Sequence, residues 1–439
     1  MYHLRPWIIY VLDSALRDPD SRTRIERILK ALGKEESDVA VFTREQAHDV
    51  ARKIASWPGG SGRSDICPQH ERALIFTRIV IDQNADDDPM LANRPEDVSE
   101  GILKAALGNL QLIRDTHPPA YDEAEDVVCW NTQDFGLMLG CPHGCHYCGM
   151  GKDSTFIAIG ANVQEYVDKV VGPVIEKHPG QKCFRLLGWA ADIITFEPEY
   201  GAFEAFLAKL SEYEDRYGYF HTAGDNVDWV RSVPHRDRLI GVWSLTCDSA
   251  AALIEPGSPS VVARIEAARR CLEWGVPVRF KFKPMIPVRN WREEYARAIE
   301  MVFARTRPES VGFCVLMWMS FDELEKKIDL NLLDPEYVAA ARQAAGALRE
   351  VRTGPFPHHV RAEIYRFLIE EARKYDKRIP LYISTESREM WDELSDQLGQ
   401  NPRTFICGCN PIEAPGPRMI PSEHLCVSTY VDGGSMPQS

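Results

Sequence analysis

Apolar and polar positions alternate in two distinct periods along the first 115 residues. The run "WIIYVLD" is apolar and rich in β-branched residues, which predicts a strand, whereas "SRTRIERILKALGK" carries apolar residues at helical spacing. The same succession returns in "DVAVFT", "REQAHDVARKIASW" and "ERALIFTRIVI". These elements predict a small α/β layer at the start of the chain.

Strands and helices alternate again from about residue 128. The predicted strands are "FRLLGWA", "GYFHTA", "LIGVWSLT", "PVRFKFKPMIP" and "SVGFCVLMWM", and the helices between them include "NVQEYVDKVVGPVIEKH", "GAFEAFLAKLSEYEDRY" and "VVARIEAARRCLEWG". This order indicates βαβ units and a parallel sheet that curves into a full or partial barrel. Chemistry in such folds gathers at the carboxyl ends of the strands.

The remainder of the chain is predicted to be mainly helical, with one strand in "IPLYIST". A proline-containing stretch, "THPPAYDE", is predicted to link the first layer to the barrel. We therefore expect an N-terminal α/β subdomain over 1–125, a barrel over 126–330 and a mainly helical C-terminal region over 331–439. No internal repeat is evident.

Composition narrows the classes of partner. The 439 residues carry a formal charge of −14, which disfavours a broad cationic surface for nucleic acid. No run approaches the roughly 18 apolar residues of a membrane helix, and the twelve cysteines of so long a chain favour metal binding or catalysis over a disulfide framework. We expect a cytoplasmic protein without membrane contact. Cys183, Cys247, Cys271 and Cys314 lie in apolar stretches and are expected to be buried.

Three thiols crowd the loop "LGCPHGCHYCGMGKDS". Cys141, Cys145 and Cys148 follow the pattern C-x3-C-x2-C, whereas a structural zinc site normally closes with four ligands. Three thiolates after a first strand suit a [4Fe–4S] cluster with one iron open to another ligand. Zinc with a distant fourth ligand, and inert cysteines, are the alternatives. His143 and His146 are expected to be solvated rather than ligands.

This loop resembles that of the radical S-adenosylmethionine (radical SAM) superfamily. The resemblance implies that the open iron binds S-adenosylmethionine, and that reduction yields a 5′-deoxyadenosyl radical which abstracts hydrogen from substrate. Tyr147 stands where the superfamily usually has an aromatic residue beside the cluster and the adenine. A reducing partner such as flavodoxin or ferredoxin is implied as well.

More of the chain resembles the spore photoproduct lyase family, whose members use this radical to repair a thymine dimer in DNA. The similar segments are "CHYC", "IEPGSPSVVARIEAARRCLEWGVPVRFKFKPMIPVRNWREEY" and "YISTESREMW". The resemblance gives the fold class as α/β, a partial (βα)6-type radical SAM barrel with a small N-terminal α/β layer and a mainly helical C-terminal extension. It also implies cofactor contacts by Asp192 in "GWAAD" and Ser244 in "WSLT".

The likeness breaks at three functional positions. Trp189 stands at the family's hydrogen-donating cysteine, Ala191 at a serine beside it, and Ala223 at a cofactor-binding lysine. A tryptophan does not quench a substrate radical as a thiol does. We therefore expect a radical SAM enzyme, of lyase or oxidoreductase type, acting on a small organic or nucleoside-like substrate. A thymine-dimer lyase and a non-catalytic iron–sulfur electron-transfer protein are the alternatives.

Basic residues in "VRFKFKP" are candidates to replace the lost lysine. Arg279, Lys281 and Lys283 share one face of the predicted strand, which either lines the barrel or faces solvent. If the face lines the barrel, one of them is placed to bind the methionine carboxylate or an anionic substrate. Lys281, Lys283 and His221 are the candidate catalytic residues.

A second group of thiols closes the sequence. Cys407 and Cys409 in "FICGCNP" and Cys426 in "EHLCVST" are candidate ligands of an auxiliary cluster. The C-x-C pattern is loose, so a glycine-rich loop that caps the barrel, or a redox role for one thiol, are alternatives.

Overall fold

A computed structural model describes residues 4–57, 70–81, 88–116, 127–149, 154–189, 191–409, 411, 413–416 and 418–419. The predicted linker "THPPAYDE" therefore lies almost wholly outside the described residues, as does Cys426. No helix of the described chain combines the length and the apolar character needed to cross a bilayer.

One large sheet organises the molecule. Its strands are β1 (Ile9–Leu12), β2 (Ala40–Phe42), β3 (Ala73–Thr77), β4 (Ile113–Thr116), β6 (Thr132–Leu139), β7 (Phe156–Gly160), β8 (Cys183–Trp189), β9 (Tyr217–Thr222), β10 (Leu239–Leu245), β11 (Val278–Met285), β12 (Val311–Val315) and β13 (Leu381–Ile383). Their order is β13-β12-β11-β10-β9-β8-β6-β7-β3-β1-β2, and β4 also pairs with β6. Two small sheets pair β14 (Glu386–Ser387) with β5 (Val127–Val128), and β15 (Glu413–Ala414) with β16 (Arg418–Met419).

The strand directions divide this sheet into two parallel parts. Strands β6 and β8 to β13 run parallel, and so do β2, β1, β3 and β7. The two parts meet at the antiparallel pair β6–β7. The carboxyl ends of β6 and β8 to β13 consequently lie along a common edge.

Helices connect the strands. They span Asp13–Arg17, Pro19–Ala31, Ala47–Ala55, Pro89–Ala92, Glu100–Ala106, Val163–Tyr166, Gly172–Lys177, Ala202–Ser211, Asp248–Leu253, Val261–Glu273, Trp291–Arg305, Phe321–Lys327, Pro335–Ala344, His358–Tyr375 and Arg388–Leu398. A π-helical turn, Val167–Val171, joins two of them, and short 3₁₀ turns follow several strands.

Strand alternation separates an apolar face from a polar face. On β9, Phe220 packs against Phe203 and Trp229, with ring centroids 5.9 and 6.1 Å away, and so contacts the connecting helices. Its neighbours Tyr219 and His221 point to the opposite face and line a cavity. The sheet thus buries its core on one face and presents polar side chains on the other.

The sequence predictions held for most elements and failed for a few. All predicted strands and helices named above are present, and Cys183, Cys247, Cys271 and Cys314 are buried. The strand β7 was not predicted, because the helix at Val163 was expected to follow the thiol loop directly. Five apolar residues beside a longer amphipathic helix give a weak periodic signal.

Candidate functional site

The three-thiol loop leaves the carboxyl end of β6. Gly140 begins it at φ +93°, and a Cβ there would lie 2.6 Å from the carbonyl oxygen of Phe156 on β7. Only glycine permits this conformation and this close approach. The chain therefore turns sharply away from the sheet edge just before Cys141.

His143 anchors the loop. It is buried, with 3% of its surface exposed, so the expectation that it is solvated is wrong. Its Nδ1 lies 3.0 Å from the Gly257 carbonyl oxygen and its Nε2 lies 2.8 Å from Asp192 Oδ2. Both ring nitrogens therefore have a partner, and the two contacts fix the orientation of the ring. The backbone assists, since Gly257 N–H donates to the His143 carbonyl at 2.8 Å.

The three thiols of the loop are all at least partly shielded from solvent. Cys145 is buried, and Cys141 and Cys148 are partly buried. Burial, Asp192 and the neighbouring thiols raise the pKa of Cys141 well above its usual value, and burial followed by Glu255 raises that of Cys145 to about 12. The two thiols are therefore neutral when only protein surrounds them.

These donors fit a soft metal centre. Metal ligation requires thiolates, and a bound cation would supply the positive charge that deprotonation at this buried place needs. Among the described residues, no three His, Cys, Asp or Glu side chains already stand as a metal-binding group. The donor set offered by the loop is three thiols, which suits an iron–sulfur cluster.

A buried charged network supports the loop from the far side. Tyr147 donates a hydrogen bond to Glu255 Oε1 at 2.6 Å, and Thr246 donates to Oε2 at 3.1 Å. Arg264 pairs with the same carboxylate at 2.5 Å, and both side chains are almost fully buried. The Arg264 Nη1 also donates to the Ser244 carbonyl at 3.3 Å. The aromatic residue of the thiol loop is thus fixed to the end of β10.

Sequence analysis did not assign this network a role. A signal was nevertheless present, because Arg264 lies three residues after Val261 and one before Ile265, on the apolar face of its helix. A charged residue at such a position is buried only with a partner.

Asp192 stands where the ends of β8 and β9 meet. Its Oδ2 accepts hydrogen bonds from Thr222 Oγ1 at 2.6 Å and from the Ala223 N–H at 3.0 Å, besides the contact with His143. The carboxylate is 4% exposed, and its Oδ1 has no hydrogen-bond partner among the described residues. A buried carboxylate oxygen left unpaired is costly, so this atom is an acceptor available to a ligand.

A cavity of about 350 Å³ opens on the polar face of the sheet. Its lining combines five cationic side chains with polar and aromatic ones: Arg114, Thr116, Cys129, Trp130, Thr132, Asp134, Arg185, Tyr219, His221, Lys281, Lys283, Trp318, Arg352, Ser384, Thr385 and Cys409. Ser244 Oγ lies 2.8 Å from His221 Nε2 and so connects the cavity wall to the end of β10. Burial, and then the charges of Lys281, Arg185 and Lys283, lower the pKa of His221 well below its usual value.

The basic residues of β11 are directed into the protein and not toward solvent, which agrees with the first of the two alternatives given for this face. Lys281 is 3% exposed and donates to Cys409 Sγ at 2.8 Å, whereas Lys283 donates to Ser384 Oγ at 3.3 Å. Arg279 is equally buried but pairs with Glu309 at 3.0 Å and does not line the cavity. The two lysines, and not the arginine, therefore belong to the site.

Cys407 and Cys409 lie beneath this cavity with their sulfur atoms 3.9 Å apart. The hydrogen bond from the Cys407 thiol, and then the charge of Lys281, hold the pKa of Cys409 well below its usual value although burial opposes this. The thiol with the lowered pKa is therefore the one that contacts the ammonium group of Lys281. Ligation of an auxiliary cluster by Cys407, Cys409 and Cys426 stays a prediction.

Two residues that line the cavity have backbones in the left-handed region. Trp318 and Thr385 have φ angles of +61° and +57°, which are unfavourable for an aromatic and a β-branched residue. The Trp318 N–H donates to the Arg352 carbonyl at 2.9 Å, and Lys283 Nζ lies 4.5 Å from the centre of the Trp318 ring. Strained residues of this kind concentrate at functional sites.

The predicted residues therefore fall into two groups. The first group consists of the loop residues Cys141, Cys145, Tyr147 and Cys148, together with Asp192, which contacts the loop through His143. The second group lines or borders the cavity and consists of Ser244, His221, Lys281, Lys283 and Cys409. The backbone of Trp189 pairs opposite Leu139 at the end of β6.

The same region matches a known family. Residues 132–320, which include the thiol loop and the strands that carry Asp192 and Ser244, match the family model of spore photoproduct lyase. The chain resembles the spore photoproduct lyases. That family belongs to the radical SAM superfamily.

Curated relatives and solved structures agree with this resemblance. Spore photoproduct lyase of Bacillus subtilis (strain 168) is 25% identical over 172 residues, which cover 38% of this chain and 50% of that protein. The Clostridium acetobutylicum spore photoproduct lyase is 20% identical over 268 residues, or 55% of this chain and 78% of that protein. The chain thus spans about half the length of the first of these relatives.

Three spore photoproduct lyase structures share the fold. One mutant superposes with a TM-score of 0.59 at 14% identity and covers 87% of this chain and 98% of its own. A complex with dinucleoside spore photoproduct gives 0.58 at 13% identity, with the same coverage. A mutant with bound AdoMet (S-adenosylmethionine) and dinucleoside spore photoproduct gives 0.58 at 13%, again with the same coverage. The large, mostly parallel α/β sheet is therefore that of spore photoproduct lyase.

Proposed function

We propose that this chain is a radical SAM enzyme in which Cys141, Cys145 and Cys148 hold a [4Fe–4S] cluster. The observation that carries the proposal is the placement of three thiols on one loop that leaves the carboxyl end of a parallel strand. Three ligands leave one iron for S-adenosylmethionine, and the family resemblance supports the same assignment. When bound and reduced, this cofactor supplies a 5′-deoxyadenosyl radical that abstracts hydrogen from substrate.

The residues around the loop have defined tasks in this proposal. Tyr147, fixed by Glu255, covers the adenine side of the cofactor, and Ser244 contacts its ribose. Asp192 presents the unpaired Oδ1 as an acceptor for a cofactor N–H or O–H. His143 keeps Asp192 in place through its Nε2 contact. A protein electron donor such as flavodoxin or ferredoxin reduces the cluster.

The parallel strands β6 and β8 to β13 form, in this proposal, the partial (βα)6-type barrel of the superfamily. The N-terminal α/β layer (1–125), the barrel (126–330) and the mainly helical C-terminal region (331–439) are its structural divisions. Cysteines without disulfide partners, ten of them among the described residues, are typical of a reducing compartment and support a cytoplasmic location.

The substrate we propose is a small organic or nucleoside-like molecule held in the cavity beside His221. Repair of a thymine dimer is the second candidate, and the structures that bind dinucleoside spore photoproduct favour it. Trp189 in place of the hydrogen-donating cysteine and the charge of −14 oppose it. An electron-transfer protein that never cleaves the cofactor is the third candidate.

Product analysis separates the three. Anaerobically reconstituted protein is incubated with dithionite and S-adenosylmethionine, and 5′-deoxyadenosine is measured by liquid chromatography. We expect 5′-deoxyadenosine from the wild type and from the control Cys271→Ala, a buried thiol outside the loop, but none from the Cys141→Ala, Cys145→Ala, Cys148→Ala triple variant. A cluster spectrum without 5′-deoxyadenosine would support electron transfer instead. Thymidine release from dinucleoside spore photoproduct at catalytic rates would support repair.

A further inference from the structure

Cationic side chains outnumber carboxylates among the described residues that line the cavity. Five cations line it: Arg114, Arg185, Lys281, Lys283 and Arg352. The described lining also contains one carboxylate, that of Asp134, and one thiol with a lowered pKa, that of Cys409. A recess lined by one sign of charge, with low-dielectric walls, attracts small ions of the opposite sign.

Asp134 and Cys409 both already have cationic partners in the lining of the cavity. Asp134 pairs with Arg185 and also accepts from Thr116 Oγ1 at 3.1 Å. Cys409 accepts the hydrogen bond of Lys281 at 2.8 Å. Asp134 and Cys409 therefore each contact a cation that also lines the cavity.

Lys283 is different from these paired cations. Within the described residues no carboxylate forms an ion pair with it, and its contacts are the Ser384 hydroxyl at 3.3 Å and the Trp318 ring. Burial lowers its pKa from the usual value, which reflects the cost of holding this charge without a counter-ion. The strained backbone of Trp318 keeps the ring beside this ammonium group. The site thus contains a cation that no carboxylate of the described residues compensates.

We propose that the cavity binds its substrate through an anionic oxygen group, a carboxylate or a phosphate, seated on Lys283. The inference rests on the proposed function, of which it names the substrate class. An oxyanion there would accept a charge-assisted hydrogen bond from Lys283 and offset the excess positive charge. The aromatic walls at Trp130 and Trp318 leave room for a flat or apolar remainder of the molecule.

Three ligands that differ in one substituent test the proposal. Phenyl phosphate, benzoate and neutral benzamide share one ring, and their binding to the reconstituted protein is followed by calorimetry and tryptophan fluorescence. We expect phenyl phosphate or benzoate to bind about tenfold tighter than benzamide, as one charge-assisted hydrogen bond implies. The tighter of the two anions identifies the source as phosphate or carboxylate. If neither exceeds benzamide, the proposal is wrong.

Variants assign the effect to Lys283. Lys283→Gln should weaken anion binding about tenfold, whereas Lys283→Arg, and Lys326→Gln on an exposed helix surface, should change it less than about threefold. Equal affinity in Lys283→Gln and wild type would overturn the proposal. So would a loss of S-adenosylmethionine affinity with anion binding intact, since the lysine would then serve the cofactor.

A separate readout keeps the two proposals apart. Formation of 5′-deoxyadenosine without substrate depends on the thiol loop and the cofactor, and it is measured in the same wild-type preparation as anion binding. If the wild type forms none, the proposed function fails. If the wild type forms it but the anions do not bind, only the inference about the cavity fails.

Discussion

Two charged residues of the site, Asp192 and Lys283, are each only partly compensated by the described residues. Asp192 uses one carboxylate oxygen three times and leaves the other unpaired, and Lys283 is a partly buried ammonium group without a carboxylate partner among the described residues. Such groups cost stability in the isolated protein and are compensated when a ligand binds. Sequence reasoning singled out both positions, but only the structure shows which of their atoms are available.

His221 makes the stability of the protein depend on pH. Its pKa is lowered in the folded state because burial and the charges of Lys281, Arg185 and Lys283 disfavour the imidazolium form. The unfolded chain takes up this proton near the usual pKa of about 6.5. Stability should therefore fall as the pH drops below about 6.5, by at most about 1.4 kcal/mol per pH unit for one proton.

Urea unfolding at pH 7.5 and at pH 5.5 measures this contribution. His221→Gln, which can still contact Ser244, should lose less stability between the two values than the wild type does. His359→Gln, an exposed position, should keep the wild-type difference. An unchanged difference in His221→Gln would show that the ring is not held neutral.

At the scale of elements, the sequence predicted the strands whose carboxyl ends build the site. Alternation in "VRFKFKP" placed Lys281 and Lys283 on one face, and the structure confirms it. The sequence pattern did not predict the strand β7, nor that Trp318, Arg352 and Thr385 line the cavity. These three come from segments far apart in the chain, and their convergence depends on tertiary packing that local periodicity does not encode.

The helix Val261–Glu273 offers a matched comparison of two arginines. Arg264 is buried against Glu255, whereas Arg269 pairs with Glu266 and Glu273 on the exposed side. Arg264→Met leaves Glu255 buried without its cation and should cost about 3–5 kcal/mol of unfolding free energy. Arg269→Met should cost at most about 1 kcal/mol.

Equilibrium unfolding of Arg264→Met and Arg269→Met measures these two changes in unfolding free energy. Adding Glu255→Gln to Arg264→Met should recover part of the loss, because the buried charge is then removed. Similar losses for the two arginines would contradict the role given to the network that holds Tyr147.

On the scale of the whole molecule, two parallel sheet segments meet at β6–β7, and the three-thiol loop connects those two strands. This position was predictable in part, since a cysteine loop after an apolar strand indicated a site at a strand end. Continuity between the N-terminal layer and the main sheet was not predictable, because it depends on pairing between β3 and β7. The loop thus lies near the centre of the sheet order, with Asp192 at the end of the adjacent β8.

The most direct test of the account is whether the cluster of this loop binds S-adenosylmethionine. Electron paramagnetic resonance of the reconstituted, dithionite-reduced protein is recorded without and with the cofactor. We predict a [4Fe–4S]⁺ signal whose g values shift when S-adenosylmethionine is added, and no such signal in the triple variant of Cys141, Cys145 and Cys148. A signal that S-adenosylmethionine leaves unchanged, or one that survives loss of the three thiols, would contradict the account.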